Sequence, residues 1–249
     1  MFDSSEFIAF GHVHWMALGL MVACAIGLPW YARGHLGSAE QLIVARVMAA
    51  VISVTVAVWS VYRLITGEFD GSKDLPLDLC NLIALLIVVL MWNPSLVKHE
   101  ILYYLVLSGT LQGTITPNLD ESFPHYNFLK YWIAHGGLVI FMVYVSVVFR
   151  LYPRFQSILQ AYIFVNIYAV VMLAYNLAAG TNYFYTMAKP PIPSLLDYMG
   201  PWPWYLLTGQ VLALFLFWLS WLPMAALARV LPDSSLIERR DTELNPVAA

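Results

Sequence analysis

Seven long apolar stretches divide the sequence and leave few folds open to it. A transmembrane helix needs about 20 mostly apolar residues. Only 11% of the 249 residues are charged, against roughly 25% in soluble domains. Because the stretches are apolar on all sides instead of at every second residue, helices are favoured over a β-barrel. The sequence therefore predicts an all-α, polytopic membrane protein with about seven transmembrane helices, at roughly 11–30, 41–65, 76–92, 101–117, 131–150, 158–179 and 203–231.

Lys and Arg are distributed unequally over the two sets of loops that seven spans create. One set holds four of them, Arg63, Lys73, Lys130 and Lys189. The other holds eight, namely Arg33, Arg46, Lys98, Arg150, Arg154, Arg229, Arg239 and Arg240. Because cytoplasmic loops are enriched in Lys and Arg, the larger set is predicted to be cytoplasmic, with the N-terminus outside and the C-terminus inside.

Domain organisation follows from the same pattern. We expect residues 1–231 to form a single seven-helix transmembrane domain and 232–249 to form a mobile cytoplasmic tail. Multiple spans predict an integral protein of the cell (inner) membrane. The sequence has no soluble domain and no basic patch that would bind nucleic acid, and it carries no signal for an oligomeric state.

The third stretch begins with a carboxylate and a thiol, Asp78 and Cys80. Cys80 follows Pro76 by four residues and His135 follows Lys130 by five, so both are predicted to lie roughly 6–8 Å inside helices that start on the outer side. When a histidine lies near a cysteine, it can take the thiol proton, and the thiolate can then attack an ester carbonyl. The matched depth makes Cys80 and His135 a candidate nucleophile and general base.

Other polar groups are predicted at the same level of the membrane. Ionisable residues inside a membrane are rare and often functional. Asp78 has three open interpretations: it binds another group, it orients a histidine, or it only caps the third helix. The expected substrate-binding or supporting residues are His14, Asp78, Gln112, Asn182, Tyr183, Asp197 and Trp202.

Two other interpretations remain open. A lone cysteine in a transmembrane helix is more often a small apolar filler, so the pocket can belong to a non-enzymatic binder of lipid or small solutes, or to a permease component. A zinc-dependent lipid hydrolase has enough potential ligands, but the sequence contains no HExxH or CxxC motif. We therefore predict no metal and no cofactor. The potential ligands are His12, His14, Asp78, Cys80, His125, His135 and Asp197.

Five motifs resemble, in content and order, the YwaF and transmembrane protein 164 family. They are Leu75-Pro76-Leu77-x-Leu79-Cys80, Gly113-Thr114-Ile115-Thr116-Pro117, Phe123-Pro124-His125 with His135-Gly136, Gly180-Thr181-Asn182-Tyr183, and Leu196-Asp197-x-x-Gly200-Pro201-Trp202-Pro203-Trp204-Tyr205. The resemblance spans nearly the whole chain and implies seven transmembrane helices. The animal members are described as cysteine-dependent acyltransferases that move acyl chains between phospholipids. By this resemblance Cys80 carries the acyl group, His135 is its base, and membrane phospholipids are the partners.

The chain departs from the family pattern at Asp78, where many members have histidine. An aspartate is ordinarily ionised at neutral pH and does not exchange protons there as histidine does. Asp78 is therefore not expected to replace histidine as a general acid or base at neutral pH, whereas a role in orienting another group is compatible with aspartate.

Overall fold

The computed structural model describes residues 6–191 and 194–230, so the predicted tail at 232–249 lies outside the described residues. The described part is helical throughout and contains no β-strand beyond one isolated bridge between Glu6 and Glu121. The all-α prediction is confirmed. The helices are α1 (His12–His35), α2 (Ser38–Ile65), α3 (Leu79–Leu90), α4 (Leu96–Leu105), α5 (Leu111–Ile115), α6 (Tyr126–Val148), α7 (Ser157–Ala179) and α8 (Trp204–Val230).

Five of these helices, α1, α2, α6, α7 and α8, are long and apolar enough to cross a membrane. Helix α3 has only 12 residues, or about 18 Å, and the predicted span at 76–92 was therefore too long. Its first residues form an irregular connection instead, because tertiary hydrogen bonds hold their backbone: the Tyr168 hydroxyl donates to the Leu77 carbonyl oxygen, and Leu75 N–H donates to the Tyr183 hydroxyl.

The fourth predicted span is a single interrupted helix. Helix α4, a π-helical turn at Val106–Thr110 and α5 follow one another without a loop, and we call them together the broken helix (96–115). Ser108, Gly109 and Thr110 are poor helix formers, which is consistent with a local change of winding. Half of the 20 residues of the broken helix are buried and only four are exposed, so it lies in the interior of the bundle.

Helix α6 is the second central element. It packs against α1, α2, α3 and the broken helix. A β-carbon added to Gly113 would lie 3.4 Å from both the His135 ring and the Tyr131 hydroxyl, so α6 approaches the broken helix closely at this glycine. At Gly109, in contrast, a β-carbon would meet nothing within 4 Å.

The loops gather at two ends of the bundle. Loops 66–78, 116–125 and 180–203 form what we call the Cys80 end, where Asn118 Nδ2 donates to the Tyr185 hydroxyl. Loops 91–95 and 149–156 form the Arg154 end. There Arg154 pairs with the fully buried Glu100, with Nε–Oε1 at 2.7 Å and the second guanidinium nitrogen at 2.9 Å from Oε2. The interior of the bundle therefore presents different polar groups at each end.

Candidate functional site

The Cys80 thiol lies against the broken helix. Cys80 is the second residue of α3, and Thr110 is the last residue of the π-helical turn. The Thr110 hydroxyl donates a hydrogen bond to Cys80 Sγ across 3.4 Å. Three tyrosines, Tyr131, Tyr168 and Tyr185, lie within electrostatic range of the sulfur. Cys80 is half-buried, and the Thr110 hydroxyl is its hydrogen-bond donor. We call the surroundings of its thiol, formed by Thr110 and these three tyrosines, the Cys80 pocket.

The His135 ring is held between its own helix and Gly113. Its Nδ1 lies 3.2 Å from the Tyr131 carbonyl oxygen, and the ring stacks on the Tyr131 ring with centroids 4.1 Å apart. Because a carbonyl oxygen only accepts hydrogen bonds, Nδ1 carries the proton in the neutral ring and Nε2 carries the lone pair. Within residues 6–191 and 194–230, Nε2 has no hydrogen-bond partner. The ring is therefore in the tautomer that a general base requires at Nε2.

Cys80 and His135 approach the same face of the broken helix. Thr110 contacts the thiol and Gly113 contacts the imidazole, and residues three apart lie on one face of a helix. In the described part of the chain the two side chains do not hydrogen-bond to each other. Their contact points on the broken helix, Thr110 and Gly113, are about one helical turn apart.

The depth estimate that paired these residues used the wrong helix starts. Helix α6 begins at Tyr126, so Lys130 lies inside the helix and not in the preceding loop. Helix α3 begins at Leu79, three residues after Pro76. The shared contact surface on the broken helix now supports the pairing instead of the matched depth.

His14 connects α1 to the same region. Its Nδ1 accepts from the Phe10 backbone N–H at 2.8 Å, and its Nε2 pairs with the Thr114 carbonyl oxygen at 2.9 Å. The ring is fully buried and both nitrogens are satisfied. His14 therefore joins α1 to α5 and has no lone pair left for proton transfer.

Asp78 supports the loop that follows α7. It occupies the position before α3, yet its side chain does not cap that helix. Instead Oδ1 accepts from the Phe184 backbone N–H at 3.0 Å. Phe184 and Tyr185 have φ of 58° and 50°, a conformation that costs energy for residues other than glycine. Asp78 therefore stabilises a strained backbone segment beside the Cys80 pocket.

The other predicted residues of the last loop also hold its backbone. Asn182 Oδ1 accepts from the backbone N–H groups of Met187 and Ala188, and Asp197 Oδ2 accepts from Ser194 N–H. Trp202 Nε1 donates to the Thr186 carbonyl oxygen. In this structure these side chains bond to loop backbone instead of reaching the thiol. The Gln112 side chain has no hydrogen bond within the described residues.

Tyr183 joins this loop to the segment before α3. Its hydroxyl donates to the Gly71 carbonyl oxygen at 3.0 Å and accepts from Leu75 N–H at 3.1 Å. Burial raises the pKa of Tyr183 to about 12, so the hydroxyl keeps its proton and remains a donor at neutral pH. The loop before α3 and the loop after α7 are therefore fixed to each other around the pocket.

A family model described as the TMEM164 family matches residues 9–234. The chain belongs to the TMEM164 family. The match includes every helix of the bundle and all three loops at the Cys80 end, which confirms the family prediction. No curated protein and no solved structure matches the chain. Membership and the long apolar helices together make this TMEM164-family chain an integral, multi-pass membrane protein.

The zinc interpretation finds no support in the geometry. Across residues 6–191 and 194–230, no group of three or more His, Cys, Asp or Glu side chains is arranged to hold a metal ion. His14 uses both ring nitrogens for hydrogen bonds, and Asp78 Oδ1 accepts from a backbone N–H. His14 and Asp78 are therefore engaged in separate structural contacts in this TMEM164-family protein.

Asn176 is a residue that the sequence reasoning missed. It is 1% exposed, and its side chain makes four hydrogen bonds to the loop that follows α7. Oδ1 accepts from Tyr183 N–H and from the Thr181 hydroxyl, while Nδ2 donates to the Tyr183 carbonyl oxygen and to the Thr186 hydroxyl. A buried asparagine near the end of an apolar helix is a signal that could have identified it.

Thr110 and Tyr131 were also missed. Both lie within predicted apolar spans, where a single hydroxyl changes the mean hydropathy very little. Tyr131 donates to the Gly113 carbonyl oxygen at 2.6 Å, which fixes α6 against the broken helix beside His135. Each of these hydroxyls acts through a hydrogen bond to a neighbouring helix. The spacing of residues within a single helix does not predict such a contact.

Proposed function

We propose that this TMEM164-family protein is a phospholipid acyltransferase, or transacylase, that uses a Cys80 thioester. The observation that carries the proposal is the shared surface of the broken helix. Cys80 contacts it at Thr110, and His135 contacts it at Gly113 with Nε2 available as a base. A thiol from α3 and a base from α6, in contact with neighbouring turns of the broken helix, provide the two groups that acyl transfer through cysteine needs.

The first half of the reaction breaks the ester of the donor lipid. His135 Nε2 takes the proton from the Cys80 thiol, and Sγ attacks the carbonyl carbon of an acyl ester. The tetrahedral intermediate collapses with loss of the lipid alkoxide, which takes the proton from His135 and leaves as a lysophospholipid. The acyl group stays on Cys80 as a thioester. This step requires the ring and the thiol to come within hydrogen-bond reach, about 3 Å.

The second half of the reaction regenerates the free Cys80 thiol. A hydroxyl of an acceptor lipid gives its proton to His135, attacks the thioester carbonyl and releases the Cys80 thiolate, which takes the proton back. The first turn of α3 favours the thiolate because the positive end of the helix dipole lies there. Asn182 and the backbone N–H groups of the first turn of α3 are two candidates for stabilising the oxyanion. The Asn182 amide nitrogen donates to the Ala188 carbonyl oxygen, so the N–H groups of α3 are the better candidate.

The orientation in the membrane is part of the same proposal. If the Arg-rich Arg154 end faces the cytoplasm, the N-terminus lies outside, the C-terminus inside, and the Cys80 end faces the outer leaflet of the cell membrane. Donor and acceptor would then be phospholipids of that leaflet. Cysteine-scanning labels applied to intact cells, with a site in loop 66–78 and a matched site in loop 91–95, test this arrangement.

The reaction is tested by intact mass spectrometry of the purified protein. Wild type, Cys80→Ala and Cys24→Ala are incubated with phospholipid carrying a labelled acyl chain. Cys24 is the matched control, since it is the other free cysteine and lies in α1. We expect a hydroxylamine-sensitive acyl adduct on wild type and Cys24→Ala, and none on Cys80→Ala. An adduct on all three proteins, or on none, contradicts the proposal.

A non-enzymatic binder of lipid or small solutes is the second candidate. It is favoured by the hydrogen bond that the thiol receives from Thr110, which suits a structural cysteine. This alternative predicts that Cys80→Ala retains lipid binding and the cellular function of the protein. Acyl transfer predicts that Cys80→Ala retains binding and loses function, so a functional assay of this one variant separates the two.

A further inference from the structure

A small cleft lies beside the Cys80 pocket at the same end of the bundle. Its cavity volume is about 50 Å³, and it is partly open to solvent. Three elements form it: the end of α2, the segment before α3 and the first turns of α6. Asn81, the residue after Cys80, is part of its wall. The lining residues are Val56, Trp59, Ser60, Lys73, Asp74, Leu75, Pro76, Asn81 and Lys130.

Lys130 contributes a positive charge to this cleft that no carboxylate neutralises by direct contact. Its ammonium nitrogen lies 5.3 Å from the centre of the Trp59 ring. Among the described residues, none forms a salt bridge or a side-chain hydrogen bond with it. A half-buried lysine lined by protein is ordinarily paired. Asp74, Asp78 and Glu121 lie near enough to interact with its charge, but none of them is within salt-bridge distance, so the ammonium has no direct counter-ion among the described residues.

The carboxylate in the cleft is already paired elsewhere. Asp74 Oδ2 accepts from Arg63, with the nearest guanidinium nitrogen at 3.0 Å, and from the Asp70 backbone N–H at 2.7 Å. Lys73 projects away, with a side chain 80% exposed and 3.8 Å from Asp70. Lys130 is consequently the lining charge that remains available to a ligand.

Two further groups of the cleft lack partners. The Asn81 side-chain oxygen is buried and has no hydrogen bond, although buried polar atoms nearly always have one. Helix α3 also begins here without a side-chain cap, because Asp78 bonds to Phe184 instead. Free backbone N–H groups at a helix start favour an anion. The unpaired Lys130 ammonium and the uncapped start of α3 are thus the two groups near this cleft that favour an anion, whereas the Asn81 oxygen can only accept a hydrogen bond.

We propose that this cleft binds a phosphate group, with the Lys130 ammonium as its counter-ion beside the first turn of α3. The space holds a group of phosphate size and not an acyl chain, so the phosphate of a lipid would sit here with its chains outside. The inference builds on the proposed function, because a phosphate held next to Asn81 positions a lipid ester near Cys80. Free inorganic phosphate is the other source of the same chemistry.

Lipid binding by the purified full chain tests the proposal. Native mass spectrometry in detergent measures binding of phosphatidylglycerol and of diacylglycerol with identical acyl chains. All proteins carry Cys80→Ser, so that no acyl transfer through the thiol interferes. The variants are Lys130→Met, Lys130→Arg and the matched control Lys98→Met. Lys98 lies at the other end of the bundle, where its ammonium donates to the Asn93 carbonyl oxygen.

We expect Lys130→Met to weaken phosphatidylglycerol binding at least about tenfold. Lys130→Arg and Lys98→Met should bind phosphatidylglycerol as the parent does, and diacylglycerol binding should be unchanged in every variant. Competition by inorganic phosphate at millimolar concentration would assign the site to phosphate in general. Its failure to compete, with lipid binding still dependent on Lys130, would assign the site to the lipid phosphate.

Two results would overturn the inference. One is equal phosphatidylglycerol binding by Lys130→Met and its parent. The other is an equal loss of phosphatidylglycerol and diacylglycerol binding, which would attribute the effect to damaged folding. Because the measurement needs no turnover, absence of a Cys80 acyl adduct would remove the proposed reaction and leave the phosphate result intact.

Discussion

The hydroxyl of Thr110 donates a hydrogen bond to the sulfur of Cys80 across 3.4 Å, from a π-helical turn to the first turn of α3. A donor of this kind stabilises a thiolate relative to a thiol. Cys80 therefore depends on a neighbouring helix for the electronic properties that a nucleophile needs.

Replacing Thr110 by valine should slow the chemistry of the Cys80 thiol. Thr110→Val keeps the shape and removes the hydroxyl, so we expect modification by methyl methanethiosulfonate to slow by roughly threefold to tenfold. Thr110→Ser should keep the parent rate. The rates are followed by intact mass in a Cys24→Ala background. An unchanged or faster rate in Thr110→Val would show that the hydroxyl does not activate the sulfur.

Enlarging Gly113 should displace His135 from the broken helix. A β-carbon at Gly113 reaches the His135 ring at 3.4 Å, which is ordinary contact, so Gly113→Ala should be tolerated. Gly113→Val should cost roughly 1–3 kcal/mol of stability because its methyl groups overlap the ring. Gly109→Ala, where the added carbon meets nothing within 4 Å, serves as the control. Thermal unfolding in detergent measures all three, and equal stability of the two Gly113 variants would contradict the close packing.

The two histidines at the start of α1 should differ in their effect on stability. His14→Ala removes the acceptor for Phe10 N–H and the donor to the Thr114 carbonyl oxygen, and it opens a cavity. We expect a loss of roughly 2–4 kcal/mol. His12 is exposed, so His12→Ala should change stability by less than about 0.5 kcal/mol. Denaturant titration compares the variants, and similar effects would remove the structural role of His14.

Removing the Asn176 side chain should loosen the loop after α7. Asn176→Ala deletes four hydrogen bonds and leaves the Tyr183 backbone groups unpaired. We expect faster hydrogen exchange across residues 181–186, by about tenfold or more. Asn166 on the same helix donates only to the Tyr162 carbonyl oxygen, so Asn166→Ala should leave that exchange unchanged. Equal protection of the loop in both variants would contradict this assignment.

The effects on stability of replacing Glu100 and Arg154 should not be additive, because the two residues form an ion pair. Arg154→Met leaves the Glu100 carboxylate buried without its partner and should cost roughly 3 kcal/mol. Glu100→Gln combined with Arg154→Met should be less destabilised than Arg154→Met alone, because no uncompensated charge remains. Arg46→Met is the control, since Arg46 bonds only to neutral groups at Trp92 and Asn93. A double variant less stable than Arg154→Met would contradict the model of a buried pair.

Hydropathy predicted the helical class and the long helices well, because these depend on composition within a single segment. Hydropathy placed the starts of α3 and α6 wrongly, because these starts depend on contacts with other segments. The residues before Leu79 are apolar, yet tertiary hydrogen bonds to Leu75 and Leu77 hold them in an irregular connection. The residues from Tyr126 to Lys130 are more polar, yet they are helical against α2, where the Tyr126 hydroxyl donates to the Thr55 carbonyl oxygen.

The sequence identifies Cys80 and His135 as candidate reactive residues but does not identify the groups that contact them. Each of the two stands out because it is a rare polar group within an apolar helix. Three roles were open for Asp78 from the sequence, and its observed partner, the Phe184 backbone, lies over a hundred residues away. No pattern within a short stretch of sequence predicts a partner at such a distance. The contact of Thr110 with Cys80 could not be predicted either, because it depends on the π-helical turn in which Thr110 lies.

The π-helical turn makes the length of the broken helix as important as its residues. A π-helical turn holds one residue more than an ordinary α-helical turn, so deleting one residue within 106–110 would restore ordinary winding and leave the flanking segments close to their present orientation. Glu100 would still pair with Arg154 at one end, and Gly113 would still face α6 at the other. The deletion would rebuild only the turn that carries Thr110, so a chain of this family that is one residue shorter here would keep its bundle and change the contact made with Cys80.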